Sequence, residues 1–135
     1  MIVTLAVGAS TCAARSQVRT PRGRSTAILD TREGLASFYG KEFHGRITAS
    51  GIPFNMNAMV AAHPNYPFGT LVRVTNLVNG RSASVRIVDR GPTPRQRAGG
   101  IVIDVSRRSA QVLGFIQQGQ ARVRLEVLDW GHRRD

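Results

Sequence analysis

The chain is poor in cysteine, in acids and in aromatic residues, and the first two shortages exclude much. Cys12 is the single cysteine, so no intramolecular disulfide forms and no cysteine-rich metal site can be built. The three histidines, His44, His63 and His132, show no metal-ligand spacing, and neither a metal nor a cofactor is expected. The apolar run over residues 1–12 is too short to span a bilayer. No internal repeat is visible. With 135 residues, one core is feasible and two ordinary domains are not. Apolar content of 41% and charged content of 20% place the chain with ordinary globular proteins rather than disordered ones.

Eight acids face 19 Lys and Arg, a net charge of +11. About half of that excess lies in the tails; residues 33–130 carry twelve Lys and Arg against six acids, a net of +6. Such a surface favours an anionic partner. Nucleic acid, anionic lipid and the carboxylate-bearing peptides of cell-wall glycan all fit the charge. No nucleic-acid recognition motif accompanies it, so nucleic acid is not an expected partner.

Residues 1–12, MIVTLAVGASTC, have the apolar and small-residue pattern of an export signal without its basic start. Ala9, Ser10 and Thr11 before Cys12 loosely match a lipoprotein processing box, which makes Cys12 a candidate lipid anchor; the other reading is an incidental apolar start. Residues 13–32, rich in Arg, Ser and Thr, read as a basic flexible linker. Residues 33–130 read as the folded domain and 131–135 as a tail.

Within the domain, short apolar runs are broken by Gly, Pro and Asn at close intervals, the pattern of a small, mostly β barrel. A hairpin is expected to join Leu71–Asn76 to Ser82–Asp89 around Asn79-Gly80. In its second strand Ala83, Val85 and Ile87 share a face, and the two-residue period puts Asp89 on that same face. Arg90-Gly91-Pro92 then breaks the strand, leaving Asp89 at the rim. Ile101–Val105 is a further strand; Ser106 caps a short helix, Arg107–Leu113, which Gly114 ends in a left-handed turn. Ala121–Leu128 is the last strand, with Ala121, Val123, Leu125 and Val127 on its apolar face.

Several segments then resemble one known family. They are Ala36-Ser37-Phe38-Tyr39-Gly40, Phe43-His44-Gly45-Arg46-Ile47-Thr48-Ala49-Ser50-Gly51, Ala61-Ala62-His63, Pro67-Phe68-Gly69-Thr70, Val74-Thr75-Asn76-Leu77, Asn79-Gly80-Arg81, Asp89-Arg90-Gly91-Pro92 and Ile103-Asp104-Val105-Ser106, with Leu113-Gly114 and Leu125-Glu126-Val127-Leu128 closing the match. In this order they are similar to the RlpA, or rare lipoprotein A, family. The resemblance covers about a hundred residues. It implies a six-stranded double-psi β-barrel with one or two short helices, in an exported protein of the bacterial cell envelope. It further implies a lyase, a lytic transglycosylase acting on peptide-stripped glycan strands of peptidoglycan. No cofactor is implied, and protein partners are not indicated.

Such a reaction needs an acid to protonate the departing glycosidic oxygen and a base to draw a proton from the muramic acid 6-hydroxyl. The family's catalytic set resembles a Glu after Ser-Gly, the His of Ala-Ala-His and the Asp of Asp-Arg-Gly-Pro. Here those positions hold Ile52, His63 and Asp89. Ile52 cannot carry a proton, so a polysaccharide-binding or expansin-like wall-loosening barrel stands beside the enzyme reading. Asp89 is the surviving candidate acid; its other reading is a residue that ties down the Gly91-Pro92 turn. His63 is read as orienting Asp89 or bonding a sugar hydroxyl, or as a structural hydrogen-bonder. Asp104 is read first as an acceptor of backbone hydrogen bonds near the helix start, second as a cleft acid. Tyr39, Arg46, Thr75, Asn76 and Arg90 complete the expected substrate-binding set.

Overall fold

The computed structural model describes residues 27–131. Residues 1–26 and 132–135, with Cys12, the expected export region, most of the expected linker and most of the tail, lie outside them. Six strands form the barrel: β1 (Asp30–Phe38), β2 (Val60–Ala62), β3 (Leu71–Asn76), β4 (Ser82–Asp89), β5 (Ile101–Val105) and β6 (Ala121–Asp129). They close in the order β1-β5-β2-β4-β3-β6. The β1–β5 and β2–β4 pairs are parallel and the other four antiparallel. Two short helices, α1 (Pro94–Ala98) and α2 (Arg107–Leu113), interrupt the later strands. The six-stranded barrel with short helices is the expected architecture.

Alternation builds the core. Val72 and Val74 of β3, Val85 and Ile87 of β4, Ile103 and Val105 of β5, and Val123, Leu125 and Val127 of β6 have no exposed surface. Each such side chain contributes about 1.5–3 kcal/mol by leaving water. The β3–β4 hairpin pairs Val72 with Val85 and Val74 with Ala83, and Gly80 takes the positive φ, 79°, that its turn needs. Ser106 Oγ accepts from Ser109 N at 3.1 Å, and Gly114 closes α2 in the left-handed region.

Two features depart from the expected pattern. The linker reading fails at its end, because Asp30, Thr31 and Arg32 already pair with Val127, Glu126 and Leu125 of β6; these polar residues line a strand whose outer side is solvated, so no apolar alternation marks it. The second departure is a bulge. Ala61 aligns with Ile87 but Ala62 aligns with Asp89, so Val88 is an extra residue in β4. The bulge breaks the two-residue period and takes Asp89 off the apolar row of Val85 and Ile87.

Candidate active site

The bulge assembles the site. Ala62 of β2 is the register partner of Asp89 on one side and of Asp104 of β5 on the other, and Asp104 is in turn aligned with Ser37 of β1. Ser37, Asp104, Ala62 and Asp89 therefore form one row across four adjacent strands. Strands lie ~4.8 Å apart, which sets the two aspartate backbones about 10 Å apart with only an alanine methyl between them. Both carboxylates line one cleft of about 270 Å³, together with Ser37, Tyr39, Phe43, Gly91, Thr93 and Gln96.

Asp89 is surrounded by donors. Its Oδ1 accepts from Ala49 N at 2.8 Å and from Arg90 N at 2.9 Å, and its Oδ2 accepts from the Tyr39 hydroxyl at 2.6 Å. The loop supplying Ala49 is fastened to the bulge, since Ser50 N donates to the carbonyl of Val88 at 3.2 Å. Tyr39 stacks on Phe54 at 4.3 Å between ring centres and meets the edge of Phe43 at 5.5 Å. Burial, then the Asp89 hydrogen bond and the charges of Asp89 and Asp104, hold the Tyr39 phenol above its ordinary pKa, so it remains a donor.

Asp104 differs. Its Oδ1 accepts from the Ser37 hydroxyl, while among the described residues nothing donates to Oδ2, which a β-carbon on Gly91 would meet at 3.4 Å. Burial raises the Asp104 pKa; the Ser37 hydrogen bond opposes that and the Asp89 charge adds to it. Among the described residues no backbone N–H donates to the Asp104 carboxylate, contrary to the expectation for a residue near the helix start. Ser106 caps α2 instead. The cleft thus holds a carboxyl biased towards its protonated form beside one ringed by donors.

His63 is placed elsewhere. Its backbone N donates to the carbonyl of Asp89 at 3.2 Å, but its imidazole lines a different hollow with Arg32, Asn65 and Arg97. Nδ1 accepts from Asn65 N at 3.2 Å and Tyr66 N at 3.1 Å, and the ring stacks on Tyr66 at 3.6 Å. Burial first, then the charges of Arg32 and Arg90, lower its pKa to about 4. The imidazole is an acceptor that holds the 63–66 turn.

Three expected substrate contacts also move. Asn76 is buried, its Nδ2 donating to Leu113 O at 2.9 Å and its Oδ1 accepting from Val78 N at 2.9 Å. Thr75 sits beside it, opposite Ser82, at the end of the hairpin far from Asp89. The Arg90 guanidinium donates to His63 O at 3.2 Å and Tyr66 O at 2.8 Å and lies 4.0 Å from the centre of the Phe68 ring, so its backbone N–H, rather than its charge, serves Asp89. Arg46 lies 5.4 Å over Phe43 and lines a neighbouring hollow that shares Tyr39, Phe43 and Asp89 with the cleft. Ile52 is 49% exposed and lines neither hollow; its carbonyl accepts from Thr48 N and Oγ1.

Sequence reasoning missed Ser37, Thr93 and Gln96. The last two form a reciprocal cap on α1, with Pro94 at its first position, a Thr-x-x-Gln signature legible in the chain. Among the described residues no group of three or more His, Cys, Asp and Glu converges as a metal site would.

Residues 31–125 match the family described as Lytic transglycolase. The probable endolytic peptidoglycan transglycosylase RlpA of Nostoc sp. is 54% identical over 110 residues, 80% of this chain and 29% of that protein. The endolytic peptidoglycan transglycosylase RlpA of Neisseria meningitidis serogroup B is 50% identical over 109 residues, 81% of this chain and 43% of that one. The chain thus spans less than half the length of these curated relatives. Among solved structures, the Streptomyces papain inhibitor superposes with a TM-score of 0.58 at 19% identity, over 75% of this chain and 96% of that one. Clavibacter michiganensis expansin, in complex with cellohexaose, gives 0.56 at 17%, over 73% and 50%. At such identities the likeness concerns the fold, a double-psi β-barrel. With a family model matched over most of its length and relatives at 50% identity and above, the chain belongs to the lytic transglycolase family, among the RlpA proteins.

Proposed function

We propose that the barrel cleaves peptidoglycan glycan strands in the cell envelope as a lytic transglycosylase, with Asp104 and Asp89 as the reacting carboxyls. The observation that carries this reading is the pair itself: two aspartates flanking Ala62 in one cleft, in different environments, within a chain whose relatives are named peptidoglycan transglycosylases. Asp104, biased towards its protonated form, gives its proton to the glycosidic oxygen as the bond from that oxygen to the sugar's C1 breaks. Asp89, fixed by Tyr39, Ala49 and Arg90, stabilises the positive charge growing at C1. It then takes the proton of the muramic acid 6-hydroxyl as O6 bonds to C1. The product is a 1,6-anhydro end. No water is consumed, and the two carboxyls regain their starting protonation by exchange with solvent.

The test is mass spectrometry of soluble products after incubation with intact and peptide-stripped peptidoglycan. Anhydro-muramic ends are expected, falling about a hundredfold or more in Asp89→Asn. Pull-down of the glycan with no such ends sinks the proposal.

Ile52 supports a second reading, a barrel that binds or loosens glycan without cutting it, because an exposed apolar side chain stands where the family resemblance implies a Glu. Ile52→Glu separates the two. A large gain of anhydro products over a near-silent parent favours the binding barrel. An active parent that the substitution leaves within a few-fold favours the enzyme.

A further inference from the structure

We propose that a second groove, walled by Arg32, Asn65, Tyr66, Arg97 and Trp130, binds carboxylate-bearing sugar strands; the inference rests on the glycan reading above and adds a charge preference to it. The groove has two lobes of about 460 and 430 Å³ that share Arg32 and Asn65. It lies across the Arg90 side chain from the aspartate cleft: Arg90 N serves Asp89, and Arg90 Nη1 reaches the carbonyls of His63 and Tyr66.

Its chemistry is opposite to that of the cleft. Two guanidinium groups, Arg32 and Arg97, face it against one acid, Asp30, so its lining carries net positive charge. Asp30 Oδ2 accepts from Arg32 Nε at 3.2 Å and from the Tyr66 hydroxyl at 2.9 Å. Among the described residues no acceptor takes the terminal N–H groups of Arg32, so the Asp30 contact aims the fork and leaves it free for a carboxylate. Arg97 uses Nη1 on Pro92 O at 2.9 Å, and among the described residues no acceptor takes its other side-chain donors. Burial is the first cause of the lowered pKa of His63 beside the groove, and the charges of Arg32 and Arg90 add to it against that of Asp30.

At the other lobe stands a fixed aromatic ring. Trp130 follows the last strand. Its carbonyl accepts from Thr70 Oγ1 at 3.3 Å, and its ring meets the edge of Tyr66 at 5.6 Å. The next residue, Gly131, packs so tightly on Gly69 that a β-carbon there would fall 2.4 Å from Gly69 backbone atoms. Among the described residues nothing accepts from the indole N–H. An aromatic ring held in place, a free N–H and two arginine forks within one groove form a mostly preformed site for a ring that carries a carboxylate, such as the lactyl-substituted sugar of a glycan strand.

Trp130 is the only tryptophan in the chain, so its fluorescence reports this groove directly. The full chain is titrated with peptide-stripped peptidoglycan strands and with neutral N-acetylglucosamine oligomers of equal length. Saturable change with the acidic strands is expected at about tenfold lower concentration than with the neutral ones, as one added charge-assisted pairing predicts. Arg32→Gln combined with Arg97→Gln brings the two to parity, while Asp89→Asn keeps the preference for the acidic strands and lowers anhydro products about a hundredfold or more. Equal response to both glycans in the unsubstituted chain overturns the inference, whatever the variants do. Persistence of the preference in a folded double variant, or tighter binding of a single-stranded oligonucleotide, overturns it too. Parity with cleavage intact removes the groove and leaves the cleft; preference with cleavage unchanged in Asp89→Asn removes the cleft and leaves the groove.

Discussion

At the Asn76 end of the barrel a buried polar side chain is held by the backbone through both its nitrogen and its oxygen. Its amide closes the carbonyl of Leu113 at the end of α2 and receives Val78 N across the hairpin loop. At the Asp89 end the polar side chains are half-buried and face a cleft, and one oxygen, Asp104 Oδ2, is left unbonded by the described residues. Both ends follow from the same alternation of strands, so the pattern of strands does not separate structure from chemistry. What separates them is whether a polar group is enclosed with its backbone partners or stands in a cleft where an oxygen is left over.

The sharpest way to break the contrast is Asp104→Asn. An amide keeps the size of the carboxyl and an acceptor for Ser37 but cannot give up a proton to a glycosidic oxygen. Anhydro-product formation is expected to fall about 10²- to 10⁴-fold. The fold should not suffer. Because the folded-state pKa of Asp104 is raised, the wild-type carboxyl favours folding below the ordinary carboxylate pKa and loses that advantage as pH rises through the folded value. The variant should therefore melt at or above the wild-type temperature at neutral pH. In the wild type, activity should decline with rising pH as Asp104 loses its proton, at a pH above the usual carboxylate range. A variant that melts early, with activity lost in proportion, would make Asp104 a structural residue like Asn76.

At the opposite end the expected effect is on stability alone. Asn76→Ala leaves Val78 N without its acceptor and Leu113 O with only the Asn79 Nδ2 bond at 3.1 Å. The cost is about 2 kcal/mol, or roughly 9 °C in melting temperature, with cleavage per folded molecule unchanged. Loss of cleavage without loss of stability would restore Asn76 to the substrate-binding set.

This contrast was only half legible in the sequence. β3, β4, β5 and β6 follow from alternating apolar residues and from Asn79-Gly80, because a buried face leaves a period of two in the composition. The start of β1 does not, because Asp30, Thr31 and Arg32 pair along a solvated edge and carry no such period. The face of Asp89 was misread for a related reason. A bulge is a matter of register between strands, and nothing in Val85-Arg86-Ile87-Val88-Asp89 announces that Val88 is the extra residue. The Asp89–Asp104 pairing depends on that register and on the parallel crossing of β2 and β4, so it was out of reach from either segment alone. Thr75 and Asn76 stand out in the sequence by motif position, which says that a residue matters but not whether for folding or for substrate.

His63 tests the same distinction at the smallest scale. Its Nδ1 is occupied by two backbone N–H groups, as Asn76 is at the other end, although its motif sits beside Asp89. An unfolded histidine takes up a proton near pH 6.5, the folded one near pH 4. Between those values the unfolded chain binds more protons, so acidification removes stability, about 3 kcal/mol by pH 4. His63→Asn keeps an acceptor for Asn65 N and Tyr66 N but does not titrate. It is expected to be about 1 kcal/mol less stable than wild type at pH 7, having lost the stacking on Tyr66, and the gap should close near pH ~6 and reverse as pH falls on to 4. Denaturant midpoints at pH 7, 5.5 and 4.5 measure this, with cleavage at pH 7 expected to persist. Parallel stability profiles would show that the imidazole is not held neutral by the fold, and cleavage lost at full stability would move His63 from the turn it braces into the chemistry of the cleft.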